Sequence, residues 1–348
     1  MTFSLYVDLA VWRHHFEQVR DELPGLVPVT KGNGYGLGNS RLAAESALLG
    51  VDTIAVGTAG EVADVVGAFD GDVLVLTPYQ PGTEDGTAPQ NHRIIRTVAH
   101  VATLSELPRG ARVVVECRTS LNRHGLRPGE LNAVTAAIGS ARLEGFALHL
   151  PLDRPSGVDP EAETSAWVER LAAAGLDIST MWVSHLGTAE LARLRGRHPD
   201  VTFRPRVGTR LWLGARDALT ARGTVLDVER LARGERCGYR QHRAPAAGYL
   251  VVVSGGTAHG VALEAPKPVR GPVARAKVLA LGTLEAVGRN LSPFWWAGHQ
   301  RWFVEPPHMQ VSLVFVPAKV ASPEIGDELD CEVRLTTTHP DQVVDTNA

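Results

Sequence analysis

From Leu5 to about Leu213 short apolar runs alternate with segments whose apolar residues recur at helical spacing, and this alternation constrains the fold most. Ala10 to Leu23 carries Val11, Phe16 and Val19 at that spacing and stops before Pro24. Ser40 to Leu49 predicts an Ala-rich helix closed by Gly50. Thr53–Val56, Val73–Leu76, Val113–Val115, Leu143–Leu148, Met181–Val183 and Val201–Arg204 read as strands, with Thr97–Ala99 a weaker one. Gly60–Val66, Leu131–Ile138, Glu161–Ala174 and Ala189–Leu194 read as the helices between them. Continuous apolar strands separated by helices specify a parallel sheet covered by helices. About eight such units over some two hundred residues fit an α/β fold of the (β/α)8 barrel type. A doubly wound sheet is the alternative, but no G-x-G-x-x-G follows an early strand.

After about Asp217 the texture changes. Thr224–Val228, Tyr249–Val253, Ala274–Leu281, Met309–Pro317 and Asp330–Leu335 read as strands broken by Gly or Pro, without long helical patterns. The expected organisation is a barrel over residues 9–216 and a mostly β domain over 217–348, with residues 1–8 able to add a strand to it. A net charge of −3 with interspersed signs gives no reason to expect nucleic acid or an anionic membrane as partner. Cys117, Cys237 and Cys331 are far apart and form no C-x-x-C pair, so neither a disulfide framework nor a metal site is expected. The N-terminus lacks a basic region followed by an apolar core, and no apolar run approaches a bilayer's thickness; the expected location is the cytoplasm.

Chemistry concentrates first at Lys31. It follows the strand-like Leu26–Val29 and opens Lys31-Gly32-Asn33-Gly34-Tyr35-Gly36-Leu37-Gly38. A lysine at a buried strand end is costly to keep charged, which moves its amine toward the range where it acts as a nucleophile. Glycines let backbone approach a ligand closely, and Tyr35 can offer a hydroxyl to a phosphate. The alternative is a turn-rich loop whose lysine points to solvent.

Lys31–Gly38 resembles the K-A-N-A-Y-G-H-G segment of the alanine racemase family, and the similarity can be followed, with gaps, from about Leu5 to about Val333. The resemblance implies fold-type III chemistry on pyridoxal 5'-phosphate, held covalently by Lys31, in a barrel plus β domain that forms a homodimer. Val115–Gly125 is similar to the family's strand and loop ending in M-x-R-x-G, which makes Arg123 the arginine near the cofactor's phenolic oxygen and the substrate carboxylate. The family often has a carbamylated lysine seven residues earlier; Glu116 stands there and is expected to anchor Arg123 as an unmodified carboxylate, or to form an ordinary surface pair with it. His149 matches a histidine beside the pyridine ring and His185 the histidine of the next motif. Thr188 falls where a phosphate-binding serine is expected, with spacing one residue shorter.

Phe203–Gly214 resembles V-R-x-G-I-x-L-Y-G, which implies that Arg206 donates to the pyridine nitrogen and that Gly208 and Thr209 offer backbone N–H groups to the phosphate. The spacing leaves Arg204 as a competitor for the arginine's role. The family's second base, a Tyr in G-Y-x-D-G reaching across the dimer interface, is best matched by Gly256-Thr257-Ala258-His259-Gly260. Thr257 cannot act as that base, so His259 is the substitute, or else a loop histidine in a Gly-rich turn. Met309 matches the Met of M-D-Q, and a later phosphate-binding tyrosine has no counterpart. The expectation is a racemase- or epimerase-like isomerase abstracting a Cα proton from an amino acid or related amine, with Lys31, Arg123 and His259 catalytic. Tyr35, His149, Thr188, Arg206, Gly208 and Thr209 would bind cofactor beside Lys31. A decarboxylase or other fold-type III reaction is one rival, although the expected G-G-G and C-x-S-x-D-like loops are missing. A non-catalytic homologue binding cofactor or a partner is the other.

Overall fold

The computed structural model describes residues 2–82, 92–263, 271–286 and 290–347. The chain divides into two units: Arg13–Gly214, and Met1–Trp12 together with Ala215–Ala348. The first strand, β1 (Phe3–Asp8), belongs to the second unit and leads into the helix Leu9–Glu22.

The unit Arg13–Gly214 is built on β2 (Val27–Thr30), β3 (Thr53–Val56), β4 (Asp72–Val75), β5 (Ile94–Val98), β6 (Arg112–Cys117), β7 (Arg142–His149), β8 (Thr180–Ser184) and β9 (Thr202–Val207). These strands close into a barrel in chain order. Every neighbour pair is parallel, and Val27 beside Arg206 closes the ring. A doubly wound sheet is thereby excluded. The strands are apolar along their length because both faces are covered. Alternate residues Val27, Val29, Ala55, Leu74, Ile95, Val114, Ala147 and Trp182 pack together in the lumen. Their neighbours Ile54, Val56, Val73, Val75 and Ile94 pack outward on Val62, Val65 and Phe69. Each such aliphatic side chain contributes about 1.5–3 kcal/mol of burial. Trp182 fits the lumen because its indole N–H donates to the Glu144 carbonyl at 3.0 Å. Gly145 (φ 118°) lies where the β6–β7 register shifts, and a Cβ there would meet the Thr180 carbonyl oxygen at 2.2 Å.

The second unit is an eight-stranded sheet plus a two-stranded ribbon. Its further strands are β10 (Leu219–Leu231), β11 (Arg236–Cys237), β12 (His242–Arg243), β13 (Gly248–Ser254), β14 (Leu291–Trp296), β15 (His299–Phe303), β16 (Val311–Pro317), β17 (Glu328–Cys331) and β18 (Gln342–Thr346). The large sheet runs β13-β16-β15-β14-β17-β10-β1-β18, with β13 also paired to β10. One expectation is corrected here. Ala274–Leu281, read as a strand, lies inside the helix Pro272–Ala286. Its Ala, Leu, Arg and Lys content favours helix over strand, and its apolar run carries no β-branched alternation. The hairpin of β14 and β15 and the parallel pairing of β18 with β1 were not anticipated. Among the described residues no helix is long and apolar enough to cross a membrane, and no cluster of three or more His, Cys, Asp or Glu side chains could hold a metal ion.

Candidate active site

The carboxyl ends of the barrel strands carry the charged residues that the lumen below them excludes. Lys31 directly follows β2, and its loop turns at Gly32, Gly34, Tyr35, Gly36 and Gly38, all at positive φ. Tyr35 takes this backbone (φ 57°) although it has a side chain, and its ring is buried. Its hydroxyl shares a hydrogen bond with Thr209, and burial pushes its pKa up to about 12 against that bond's opposite pull. Gly208 makes this possible: a Cβ there would lie 2.1 Å from the Tyr35 hydroxyl oxygen. Gly208 and Thr209 open the short helix Thr209–Trp212, and Trp212 fastens it to β2 by donating to the Val29 carbonyl at 2.8 Å.

Glu116 on β6 and Arg206 on β9 are both buried and form an ion pair at 3.5 Å. A second guanidinium nitrogen of Arg206 donates to the Leu148 carbonyl at 3.0 Å, while its Nε is buried with no hydrogen-bond partner. Burial lowers the Arg206 pKa and Glu116 opposes that shift. The expectation that Glu116 anchors Arg123 is therefore corrected. No hydrogen bond or ion pair joins them among the described residues, and Glu116 turns to Arg206 because both project from lumen-facing positions of their strands. Arg123 is exposed on the loop after β6, near enough to Lys31, Arg206 and both histidines to lower their pKa values. Arg204 does not compete for the inner role. From the middle of β9 it pairs with Asp52, ahead of β3, and stacks on Trp182, its guanidinium carbon 4.8 Å from the ring centroid.

His149 ends β7 and His185 follows β8; their rings meet edge to face with centroids 5.0 Å apart. The nitrogen Nδ1 of His149 faces the Ser184 hydroxyl at 3.2 Å, and the His149 carbonyl accepts from the Thr119 hydroxyl at 2.5 Å. Burial first, then Arg206, Arg123, His185 and Lys31, hold His149 down at about 3, so it is a neutral imidazole. Burial, then Arg206, Lys31, Arg154 and Arg123, lower His185, which sits in a left-handed backbone conformation (φ 63°) with Arg154 donating to its carbonyl. Thr188 is exposed at the start of the helix Thr188–Arg197. The Lys31 amine is lowered by partial burial and then by Arg123 and Arg206, against the opposing pull of Glu61.

Glu61 escaped notice in the sequence. Its carboxylate accepts from Gly32 N–H at 3.1 Å and Gly57 N–H at 2.7 Å, tying the Lys31 loop to the end of β3. The Thr58-x-x-Glu61 capping-box spacing was the signal that could have found it.

His259 lies in the other unit, buried, with its ring 5.4 Å from that of Phe3. Gly256 N–H donates to its Nδ1 at 3.1 Å and its Nε2 faces the Asp341 carboxylate at 3.2 Å. With Nδ1 accepting, Nε2 carries the proton and gives it to Asp341. Both ring nitrogens of the residue expected to replace the missing base are thus hydrogen-bonded within its own unit. Thr257 opens the same turn.

The barrel rim thus gathers Lys31, Arg123 and Arg206, two neutral histidines, a buried hydroxyl and a glycine turn, with Glu116 and Glu61 as the acids beside them. Fold and site define a (β/α)8-barrel protein with a lysine and two arginines gathered at the carboxyl ends of its strands. Residues 7–174 match the family described as alanine racemase, N-terminal domain. An alanine racemase of Desulfovibrio desulfuricans is 30% identical over 156 residues, 41% of this chain and 42% of the relative's own length, so that match spans less than half of either. One from Corynebacterium efficiens is 26% identical over 289 residues, 76% of this chain and 77% of that one. In fold, the chain is similar to an alanine racemase from Bartonella henselae solved with covalently bound pyridoxal phosphate (TM-score 0.74, 15% identity, 99% of this chain and 100% of that one). It is similar also to one from a D-cycloserine-producing Streptomyces lavendulae (TM-score 0.70, 19% identity, 100% and 98%). Residues 7–174 are thus similar to the alanine racemase N-terminal domain, and the chain has the fold of the solved alanine racemases.

Proposed function

We propose that this chain is a pyridoxal phosphate-dependent isomerase of amino acids or related amines, of the racemase or epimerase kind, with Lys31 holding the cofactor. The observation that carries the reading is the buried Nε of Arg206, a donor without an acceptor. An unpaired buried donor costs about 1–3 kcal/mol, and the cofactor's ring nitrogen is an acceptor of the right kind. The donor set around it fits the rest of that group. Tyr35, Gly208 and Thr209 form a cradle that a Cβ at Gly208 would fill, and Thr188 adds a hydroxyl at a helix start. Arg123 suits a carboxylate, and neutral His149 can lie against an aromatic ring without adding charge.

Bound pyridoxal phosphate supplies an electron-withdrawing ring that acidifies the Cα–H of an attached amino acid. The chain's own residues do the rest. Lys31, its amine lowered by burial and by Arg123, accepts the Cα proton on the face it reaches. Arg206 would donate its free Nε–H to the ring nitrogen. Arg123 holds the substrate carboxylate. With both ring nitrogens of His259 hydrogen-bonded to Gly256 and Asp341, inversion is expected to be slower than exchange. We further propose that the assembly is a homodimer. Tyr239 (86% exposed) and Met309 (69%) fit a face that a second copy covers, and light scattering should return twice the chain mass.

The test is direct. Borohydride treatment of the chain with pyridoxal phosphate should leave the cofactor on Lys31, and Lys31→Ala should abolish it. In D2O, an amino-acid panel scored for Cα exchange, enantiomers and carbon dioxide should show exchange without carbon dioxide. A wild-type chain that traps no cofactor overturns the reading. Trapping with no exchange on any amino acid leaves binding without catalysis.

A further inference from the structure

We infer that Glu116 is a positioning residue for Arg206, fixing the direction of its free N–H, and that Arg123 is left untethered to follow the substrate. The inference rests on the reading just given. A guanidinium is planar, so two fixed terminal nitrogens fix the third N–H. In Arg206 one terminal nitrogen is held by Glu116 at 3.5 Å and the other by the Leu148 carbonyl at 3.0 Å; Nε remains. The side chains of both partners are almost fully enclosed, at 3% and 4% exposure, so neither charge has water to fall back on. Two other groups feel Glu116. Half-buried His124 is lowered chiefly by burial, with Glu116 pulling the other way, and the buried Cys117 thiol is pushed up chiefly by burial and then by Glu116. Neither is bonded to its carboxylate. Glu116 cannot be withdrawn without leaving Arg206 an uncompensated buried cation.

This arrangement divides the two arginines. Arg206 is rigid and aimed, as a ring acceptor requires, whereas Arg123 is exposed and bears no bond to Glu116, so it can move with a carboxylate on substrates of different length. A glutamate also needs no carbon dioxide to become an anion, so bicarbonate should not change the site.

Cofactor affinity, the pH profile of the bound cofactor's visible band and steady-state kinetics should be compared for wild type, Glu116→Gln, Glu116→Asp and Arg123→Gln. We expect Glu116→Gln to bind pyridoxal phosphate at least about tenfold more weakly and to shift the band's pH midpoint. Glu116→Asp should recover part of both. Arg123→Gln should act mainly on the amino acid's KM. In the cofactor-free chain, urea unfolding of Glu116→Gln, Arg206→Gln and the double variant should show coupling between that pair, and none between Glu116 and Arg123. Wild-type affinity and band profile in Glu116→Gln, with cofactor still trapped on Lys31, overturns the inference and leaves the function standing. Coupling of Glu116 to Arg123 instead of Arg206 also overturns it. Failure of the wild type to trap cofactor removes both.

Discussion

The two ends of the barrel each hold an arginine among acids, half-buried at one end and buried at the other, and they are finished differently. At the amino ends of the strands, Arg112 meets Asp72 through both terminal nitrogens at 2.6 and 2.7 Å and Glu144 through Nε at 2.7 Å, with the His92 carbonyl at 3.2 Å. All three of its nitrogens are bonded, and Asp72 and Glu144 raise its pKa. At the carboxyl ends, Arg206 has a single acid at 3.5 Å, one carbonyl and a bare Nε, and burial lowers its pKa. The lower cluster closes on itself, as a group whose task is stability does. The upper one is incomplete in the protein alone, as a group that receives a ligand must be.

The sharpest way to break this contrast is to fill the upper end. Gly208→Ala places a Cβ 2.1 Å from the Tyr35 hydroxyl oxygen, so the ring or the turn must move. Overpacking of this kind costs about 1–3 kcal/mol. The displaced cradle should bind cofactor roughly fivefold to over a hundredfold more weakly by fluorescence titration, and the clash, present without cofactor, should also lower the thermal midpoint of the cofactor-free chain. Wild-type affinity would show that the turn holds no phosphate. The complementary variant, Arg112→Met, keeps the bulk and removes three hydrogen bonds from Asp72 and Glu144. Both acids keep partial access to water, at 32% and 14% side-chain exposure, so the loss is about 1–2 kcal/mol in urea unfolding. Cofactor affinity should stay within about twofold, because the site lies at the other end. Equal effects of Arg112→Met on stability and affinity would erase the distinction.

What was legible in the sequence follows the same division. Lys31 and its glycines stood out because a lysine after an apolar strand violates the local pattern, and the barrel was readable because strands buried on both faces are continuously apolar. Pairing across the barrel was not readable. Glu116 lies closer in sequence to Arg123 than to Arg206, but facing the lumen joins it to Arg206, and facing depends on register rather than on separation. Glu61 was hidden because it contributes through backbone N–H groups of another loop. The bonding of His259 was hidden because a histidine in a glycine turn reads alike whether its ring is open or bonded on both sides. The helix Pro272–Ala286 misled because its apolar residues run together, and a short apolar run does not declare its period.

The smallest expected effect tests the charge of the upper end directly. His149 has an ordinary pKa of 6.5 when unfolded and about 3 in the fold, where burial and then Arg206, Arg123, His185 and Lys31 disfavour its cation. Between those values the unfolded chain binds a proton that the folded chain refuses, so stability falls as pH drops from about 6.5 toward 3 and is flat above it. From pH 6.5 to 5.5 one such ring contributes at most about 1 kcal/mol, and less once the solvent reaching a half-open site screens it. Carboxylates add their own acid slope, so the measurement is a difference: unfolding free energy against pH for wild type and for His149→Gln, without cofactor. The variant should lose the part of the slope lying just below pH 6.5 and keep the rest. Cofactor phosphate, an anion among these cations, should raise the ring's pKa and flatten the wild-type curve in that window. If the two proteins run parallel from pH 6.5 to 5.5, His149 is not held neutral by its cationic neighbours, and the upper end of the barrel is less positive than the geometry makes it.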